Sequence, residues 1–145
     1  MKLATKQIVD VLRAAGEPSR VRILALLAHE ELAVLELCRV LDQSQPRVSR
    51  HLKLLAEANL VERFPDGAWV FYRLASAGRQ REVIDQVLAH IDPDDVVMAS
   101  DRARLEGVQA ERAAAAQAYF AENAAHWDEI RSLYVSDADV EAAIV

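Results

Sequence analysis

The stretch from residue 34 to residue 74 constrains the fold most, because its hydrophobic periodicity changes from helix to strand within a short distance. Residues 34–41 have the spacing of a short helix, and residues 42–44 have the composition of a turn. The helical periodicity then returns over 45–58, where Val48, Leu52 and Leu55 lie on one side of a second helix. Two helices joined by so short a turn predict a helix-turn-helix.

The residues after this second helix predict a β-hairpin. Segments 60–64 and 68–74 are rich in Val, Phe, Trp and Tyr, which favour strands. Between them, Pro65-Asp66-Gly67 has the composition of a tight turn. A hairpin directly behind a helix-turn-helix predicts a winged helix, with the hairpin as the wing.

Further helices are expected on both sides of this unit. One stops near Gly16, a second opens at Glu17-Pro18-Ser19, and a third covers 78–91. A short link at 30–33 has room for one β pairing. The second of these helices is expected to be central to the core through Val21, Ile23, Leu24, Leu26 and Leu27. The apolar residues of the other two are Leu3, Ile8, Val11 and Leu12 in the first and Val83, Ile84, Val87, Leu88 and Ile91 in the last.

The clearest break in the chain is Asp92-Pro93-Asp94-Asp95, which ends one helix and caps the next with acids near its amino terminus. From there to about Tyr134 the composition predicts one long helix, with a break near Asn123–Ala125 as an alternative, and a short helical piece follows from Ser136. The predicted fold is mainly α with a small β-hairpin wing. Its domains are 1–91, the winged helix-turn-helix, and 92–145, a long helical extension.

The helix at 45–58 carries the candidate functional residues. A helix that reads base edges needs polar and cationic groups near its amino end and an apolar face that fixes it to the scaffold. Val48, Leu52 and Leu55, with Leu54 as an alternative, form that face, and Ser44 is expected to cap the helix with its hydroxyl. The candidate DNA-contacting residues of the helix and hairpin are Ser44, Gln45, Arg47, Val48, Ser49, Arg50, His51, Lys53, Arg63, Asp66 and Gly67. For His51 we expect a phosphate contact.

Charge is distributed unevenly along the chain. The net charge is −6, yet residues 1–74 hold 11 Lys/Arg and 9 Asp/Glu (net +2), and residues 75–145 hold 6 and 14 (net −8). Residues 44–53 contain Arg47, Arg50 and Lys53 and no acid. Because affinity for DNA depends on the patch that faces phosphate, this distribution fits a front half that binds duplex DNA, and an ordinary solvated surface is the alternative.

The stretch SQPRVSRHLKLLAEANLVERFPDGAWVFYRL at 44–74 resembles the DNA-binding core of the ArsR family of bacterial winged-helix regulators. PSRVRILALL at 18–27 is similar to the second helix of that family, and the resemblance covers about residues 5–91. It implies a homodimer that binds an inverted-repeat operator, usually as a repressor released by a signal. It also implies a dimer interface formed by about 6–15 and 78–91, and the long helix after Pro93 is a further candidate for pairing.

The family's metal sites are not matched. Many metal-sensing members carry a pair of cysteines at the start of the third helix, where ELAVLEL at 31–37 places Ala33 and Leu35 instead. Cys38 lies outside that pair, and we interpret it as a small buried hydrophobe. Asp85 and His90 lack the spacing of the family's other site, and His29, His51 and His126 are dispersed. We therefore expect no metal and no cysteine-based control.

The tail suggests a second resemblance. YFAENAAHWDEIRSLYVSDADVEAAI at 119–144 is similar to the segment that leads into a methyltransferase domain in fusions behind ArsR-type regulators. The alternative function is therefore the DNA-binding part of such a fusion, with S-adenosylmethionine or S-adenosylhomocysteine bound downstream. No glycine-rich nucleotide loop occurs among Gly16, Gly67, Gly78 and Gly107, so no cofactor is expected in this segment. In either case the apolar residues Trp127, Ile130, Leu133 and Tyr134 are expected to be buried.

Other functions fit the sequence less well. No catalytic constellation is visible, so we expect no enzymatic activity, and the acids at 92–95 are more simply helix caps than a metal site. No apolar run has the length of a transmembrane helix and no signal-peptide pattern opens the chain, so we expect a cytoplasmic protein without membrane contact. A protein-interaction module that uses the same fold only for pairing is the remaining alternative.

Overall fold

A computed structural model describes residues 2–124 of the chain. They form two compact units, the first ending at Val108 and the second beginning at Gln109. The elements in chain order are α1 (Thr5–Ala15), α2 (Pro18–His29), β1 (Leu32–Ala33), α3 (Val34–Leu41), α4 (Gln45–Glu57), β2 (Val61–Asp66), β3 (Trp69–Leu74), α5 (Arg79–Ala89) and α6 (Val96–Glu122). The predicted fold class, mainly α with a hairpin wing and a long helix towards the carboxyl end, is confirmed.

The end of α1 and the start of α2 lie where the sequence indicates, whereas Leu3, expected in the first helix, precedes it. Gly16 follows the last residue of α1, and Pro18 occupies the first turn of α2, where its missing N–H leaves no bond unmade. The carboxylate of Glu17 caps α2 by accepting a hydrogen bond from the backbone N–H of Arg20 at 2.9 Å. Because this cap satisfies one of the free N–H groups of the first turn, it fixes the start of α2.

The core of the first unit lies between α2, α3, α4 and the sheet. The side chains with no more than 1% of their surface exposed are Val11, Ile23, Leu24, Leu32, Leu37, Val40, Val48, Leu52, Leu55, Leu60 and Ile84. Complete burial of one such aliphatic side chain contributes about 1.5–3 kcal/mol. Of the predicted core residues of α2, Val21 is only half-buried, and two apolar residues of the other helices, Leu12 of α1 and Val87 of α5, are exposed.

The sheet has the strand order β1-β3-β2, with antiparallel pairing throughout. The single β pairing expected in the 30–33 link is confirmed, since Leu32 lies opposite Tyr72. The predicted hairpin is present, but its turn was placed too early in the sequence. Asp66 pairs with Trp69, so the turn consists of Gly67 and Ala68.

Two properties of the chain explain this shift. Pro65 lies in β2, an edge strand, where a residue without an N–H is tolerated. Gly67 has a φ of +64°, while Ala68 is not among the residues of positive φ. A positive φ at the first of two turn residues is typical of a type II′ turn, which glycine adopts most readily.

Two residues of positive φ delimit the helix-turn-helix. Asp42 (φ 54°) follows α3 and turns the chain towards α4, and Asn59 (φ 61°) follows the end of α4. Asn and Asp tolerate this left-handed conformation better than other residues with a side chain. Leu60 then donates its N–H to the carbonyl of Leu55 at 3.0 Å, which starts β2 directly behind α4.

The interpretation of the acidic segment as caps is confirmed for Asp95, whereas Asp92 stabilises the turn before the helix. The Asp95 carboxylate accepts the N–H of Met98 at 3.1 Å, and that of Asp92 accepts the N–H of Asp94 at 2.9 Å. The first turns of α6 then pack on the core, where Leu105 and Val108 are 5% exposed. The first compact unit therefore extends well beyond residue 91, where the sequence analysis drew its boundary.

The second unit is described only for residues 109–124, over which α6 continues to Glu122. Its side chains are exposed apart from the half-buried Asn123, and the rings of Tyr119 and Phe120 meet edge-to-face at 5.8 Å. The expectations for His126, for burial of Trp127, Ile130, Leu133 and Tyr134, and for a final helical piece lie outside the described residues.

Candidate nucleic-acid interface

One side of α4 is polar and cationic, and the other side is buried. Val48, Leu52 and Leu55 have no exposed surface. The residues exposed on the other side, together with Ser44 before the helix, are Gln45, Arg47, Ser49, Arg50 and Lys53. Arg47, Arg50 and Lys53 form no ion pair or hydrogen bond within residues 2–124, so their donors are available to a ligand.

Ser44 precedes α4 as expected but does not cap it with its hydroxyl. A capping side chain accepts from the second or third N–H of the helix; the second residue, Pro46, has none, and the N–H of Arg47 is not bonded to the Ser44 hydroxyl. The carbonyl of Ser44 accepts the N–H of Val48 at 3.0 Å instead. The exposed hydroxyl therefore remains available for another partner.

Three predictions about α4 side chains were wrong. Val48, included among the candidate DNA contacts, is fully buried because it belongs to the apolar stripe. His51, for which a phosphate contact was expected, is only 8% exposed. It lies one turn from Val48 on the same side of the helix, so it points towards α2 and not towards solvent. Leu54, given as an alternative member of the stripe, is 36% exposed.

His51 belongs to a polar cluster at the start of α2. The Arg20 guanidinium donates to its Nδ1 at 3.3 Å, and the Glu17 carboxylate lies 3.9 Å from the same nitrogen. Since an arginine N–H can only donate, Nδ1 accepts and the neutral ring carries its proton on Nε2. Nε2 is buried and has no partner among the described residues.

The environment of His51 favours its neutral form. Burial lowers the pKa of His51 below the ordinary histidine value; the Glu17 carboxylate opposes this, and the cations of Arg20, Arg47 and Arg50 lower the pKa further. A neutral ring here adds no charge to the buried side of α4.

Arg20 and Glu17 are not among the site residues predicted from the sequence. Arg20 also donates from Nε to the carbonyl of Ala14 at 2.6 Å, so one guanidinium contacts α1 and α4 together. The sequence contains only a weak signal for this role, a carboxylate three residues before an arginine at a helix start. The contact with His51 spans 31 positions of the chain, and no local pattern predicts it.

The hairpin holds the remaining candidates. Arg63, Asp66 and Gly67 are exposed as expected, Asp66 and Gly67 at its tip. Trp69, opposite Asp66, is 55% exposed and was not predicted as a site residue. On the same face of the hairpin, Phe64 and Phe71 stack at 5.8 Å and the Arg73 guanidinium lies 4.6 Å from the Phe64 ring.

The positions considered for metal binding are far from a ligand set. Ala33 is buried and Leu35 is 53% exposed, and neither carries a ligand atom. Burial raises the pKa of the half-buried Cys38 thiol, which keeps it in its protonated form. No group of three His, Cys, Asp or Glu side chains within residues 2–124 could hold a metal ion.

None of the helices that the structure describes is long and apolar enough to cross a bilayer. The longest, α6, contains charged residues along its length.

Comparisons with known proteins agree with the fold. The family model for the arsR family of bacterial regulatory proteins matches residues 17–63, which span α2 to the start of β2. The arsenical resistance operon repressor of Escherichia coli (strain K12) is 43% identical over 68 residues, which are 46% of this chain and 58% of the repressor. The chain thus spans less than two thirds of the length of that relative.

Two further relatives match over more of their length. An HTH-type transcriptional regulator of Methanocaldococcus jannaschii is 33% identical over 85 residues, 57% of this chain and 92% of the regulator. The solution structure of a homodimeric winged helix-turn-helix DNA-binding domain from Mycobacterium bovis has a TM-score of 0.51 and 28% identity, and the match covers 58% of this chain and 73% of that one. On its fold and these similarities, the chain belongs to the arsR family of bacterial regulatory proteins.

Proposed function

We propose that the protein is a DNA-binding transcriptional repressor that places α4 in the major groove of a duplex operator. The observation that carries this is the division of α4 into a buried apolar side and an exposed side with Arg47, Arg50 and Lys53. Arginine can bond guanine through two N–H groups, and glutamine can do the same with adenine, which gives Gln45 a role in base reading. The relative from Escherichia coli is itself a repressor.

The hairpin adds a second contact in this proposal. Arg63 and the tip at Asp66 and Gly67 would meet the flanking backbone or minor groove, as the wing of a winged helix does. Gly67 has no atom within 4 Å of an added Cβ, so the tip is open to a close approach by a ligand.

Dimerisation would place two copies of α4 on an inverted repeat. Support comes from apolar side chains left exposed on the two helices assigned to pairing, Val9 (37%) and Leu12 (54%) on α1 and Val87 (36%) on α5. The solved relative from Mycobacterium bovis is homodimeric. We also propose that the signal that releases the operator does not use a cysteine pair, because Ala33 and Leu35 occupy those positions.

The test begins with duplexes selected from a random-sequence pool, whose affinity for the protein is measured by fluorescence anisotropy. Arg47→Ala and Arg50→Ala should each weaken binding by about 1–3 kcal/mol, the contribution of one good base contact. Arg112→Ala, which removes one cation from the exposed far part of α6, is the matched control and should change affinity little. Selection of no duplex at low salt, or parent affinity in the Arg47→Ala/Arg50→Ala double variant, would contradict the proposal.

A further inference from the structure

A groove of about 340 Å³ opens within the first unit between α2, the end of α5 and the first turns of α6. We call it the α2–α6 groove; its floor contains Leu26, Leu88, Ile91 and Met98, and its rim carries Arg22 and Arg102. Sites for small ligands have volumes of about 300–1,000 Å³ and a mainly apolar lining with a few polar groups. The groove matches both properties.

Small side chains create the space in the groove. Ala25 and Ala28 line it from α2, and Ala89 lines it from α5. Leu26 is 2% exposed and belongs to the core, whereas Leu88, Ile91 and Met98 are half-buried and apolar. An apolar molecule that entered would remove its own surface from water without displacing a hydrogen-bonded group of the floor.

The polar side chains that line the groove are three basic residues, Arg22, His29 and Arg102, and two acidic residues, Asp92 and Asp101. Both oxygens of Asp101 accept from Arg22, each at 2.8 Å, and Asp101 is 3% exposed. Asp92 also lines the groove, and one of its oxygens accepts the N–H of Asp94. Arg102 donates from Nη2 to the carbonyl of Pro93 at 2.8 Å, which holds its guanidinium at the rim while four of its five N–H groups remain.

We propose that the α2–α6 groove binds a small molecule with an apolar body and one carboxylate or sulfonate group, and that this ligand regulates the helix-turn-helix. The apolar part lies on Leu26, Leu88 and Met98, and the anionic group accepts from Arg102. The regulatory half of this inference rests on the proposed function. The inference that a ligand binds depends only on the groove.

A physical connection leads from the groove to the helix-turn-helix. Arg104, three residues beyond Asp101 on α6, donates to the carbonyl of Val40 at 3.1 Å. Val40 lies in the last turn of α3, immediately before the turn that sets the position of α4. Met98 and Arg102 lie on α6, the helix whose Arg104 is bonded to Val40. A ligand that shifts these two residues therefore changes the position of α3 and α4.

The binding half is tested with 8-anilinonaphthalene-1-sulfonate, an aromatic sulfonate whose fluorescence rises in apolar sites, added to the folded full chain without DNA. Ala28→Trp fills the groove from an exposed helix position and should weaken probe binding at least tenfold. Ala110→Trp, at an exposed alanine of α6 outside the groove, is the matched control and should leave binding unchanged. Arg102→Gln should weaken binding by about threefold, the effect of one exposed charged contact, and Arg102→Lys should recover part of it.

Parent-like probe binding in Ala28→Trp would overturn the proposal. So would probe binding that appears only on dilution to monomers, because the groove would then be covered by a second copy of the chain.

The regulatory half is tested by repeating the anisotropy measurement with saturating probe. Affinity for a selected duplex should change by about fivefold or more in the parent, a modest allosteric coupling. Arg104→Gln should keep probe binding and lose this change. An unchanged duplex affinity in the parent with the groove occupied would overturn regulation, whereas failure to select any duplex would count against the proposed function and leave the binding result intact.

Discussion

Arg20 of α2 donates a hydrogen bond to Nδ1 of His51 on the buried side of α4, over 3.3 Å. The bond requires the imidazole to be neutral, because a protonated Nδ1 cannot accept. The same guanidinium contacts the carbonyl of Ala14, so α1, α2 and α4 meet at one side chain. The protonation of His51 is therefore linked to the packing of the candidate interface.

We predict that the free energy of unfolding falls as the pH falls below 6.5. The pKa of His51 is lower in the folded chain than the ordinary value of 6.5, so the unfolded chain binds more protons in this window and acid favours it. The stability is present above pH 6.5 and is lost as the pH falls through the folded-state pKa. Urea unfolding at a series of pH values measures it.

His51→Gln should flatten this part of the pH profile, and His29→Gln, which changes an exposed histidine, should not. Hydrogen bonds from Ser76 and Arg73 lower the pKa of the Glu62 carboxylate. Its protonation therefore changes the free energy of unfolding only at lower pH, near and below its ordinary pKa of 4.5. Equal slopes below pH 6.5 for the parent and His51→Gln would contradict the prediction.

The ion pair between Arg22 and Asp101 joins α2 to α6, and we predict that Asp101→Asn lowers the free energy of unfolding by about 2–3 kcal/mol. Removal of one partner from a buried pair destabilises by about 3–5 kcal/mol, and the partial exposure of Arg22 (19%) reduces this. Glu82→Gln breaks the exposed pair with Arg79 and is the control, with an expected change below about 0.5 kcal/mol.

A double variant separates charge from packing at this pair. Arg22→Met with Asp101→Leu replaces both ions by apolar groups and should recover much of the lost stability. If Asp101→Asn unfolded at the parent's urea concentration, the first turns of α6 would not be fixed to α2 through this pair.

Gly67 determines the hairpin turn through its backbone conformation. At a φ of +64°, Gly67→Val should lower stability by about 1–3 kcal/mol, because a β-branched residue is strained there. No atom lies within 4 Å of an added Cβ, so the loss comes from the backbone and not from a clash. Thermal unfolding followed by circular dichroism should show a smaller loss for Gly67→Asn and almost none for Ala68→Val. Equal losses at both turn positions would mean that the turn is not of this type.

Leu12 is the most exposed of the apolar residues on the helices assigned to dimerisation. Leu12→Glu should shift the protein from dimer to monomer in sedimentation equilibrium, because two carboxylates would be buried at a two-fold interface. Leu35→Glu changes a leucine of nearly equal exposure (53% against 54%) on α3 and should leave the dimer intact. A monomeric parent protein, or dissociation by Leu35→Glu alone, would contradict the proposed interface.

The order and type of the elements were predictable from local patterns. The turn at 42–44, the segment at 92–95 and the apolar spacing of 45–58 each depend on a few neighbouring residues. The division of α4 into a buried and an exposed side follows from the same spacing, and it placed Arg47, Arg50 and Lys53 correctly on the exposed side.

The errors concern a side chain at the border of two faces, a helix cap and the position of a turn. His51 is polar, so its type suggested solvent, yet its place one turn from Val48 puts it against α2. The hydroxyl of Ser44 does not cap α4, although the residue type and its position before the helix favour a cap. The hairpin turn lies later than expected because an edge strand accepts Pro65.

The sequence by itself determined the winged helix-turn-helix and the exposed cations of α4, because periodicity, caps and turn residues act over short distances. The tertiary structure alone decided three further features, which are the Arg20–His51 bond, the fixing of α6 by Asp101 and Arg104, and the groove between α2 and α6. Each joins residues far apart in the chain, and the free energy that brings them together comes from core packing, which no local pattern contains.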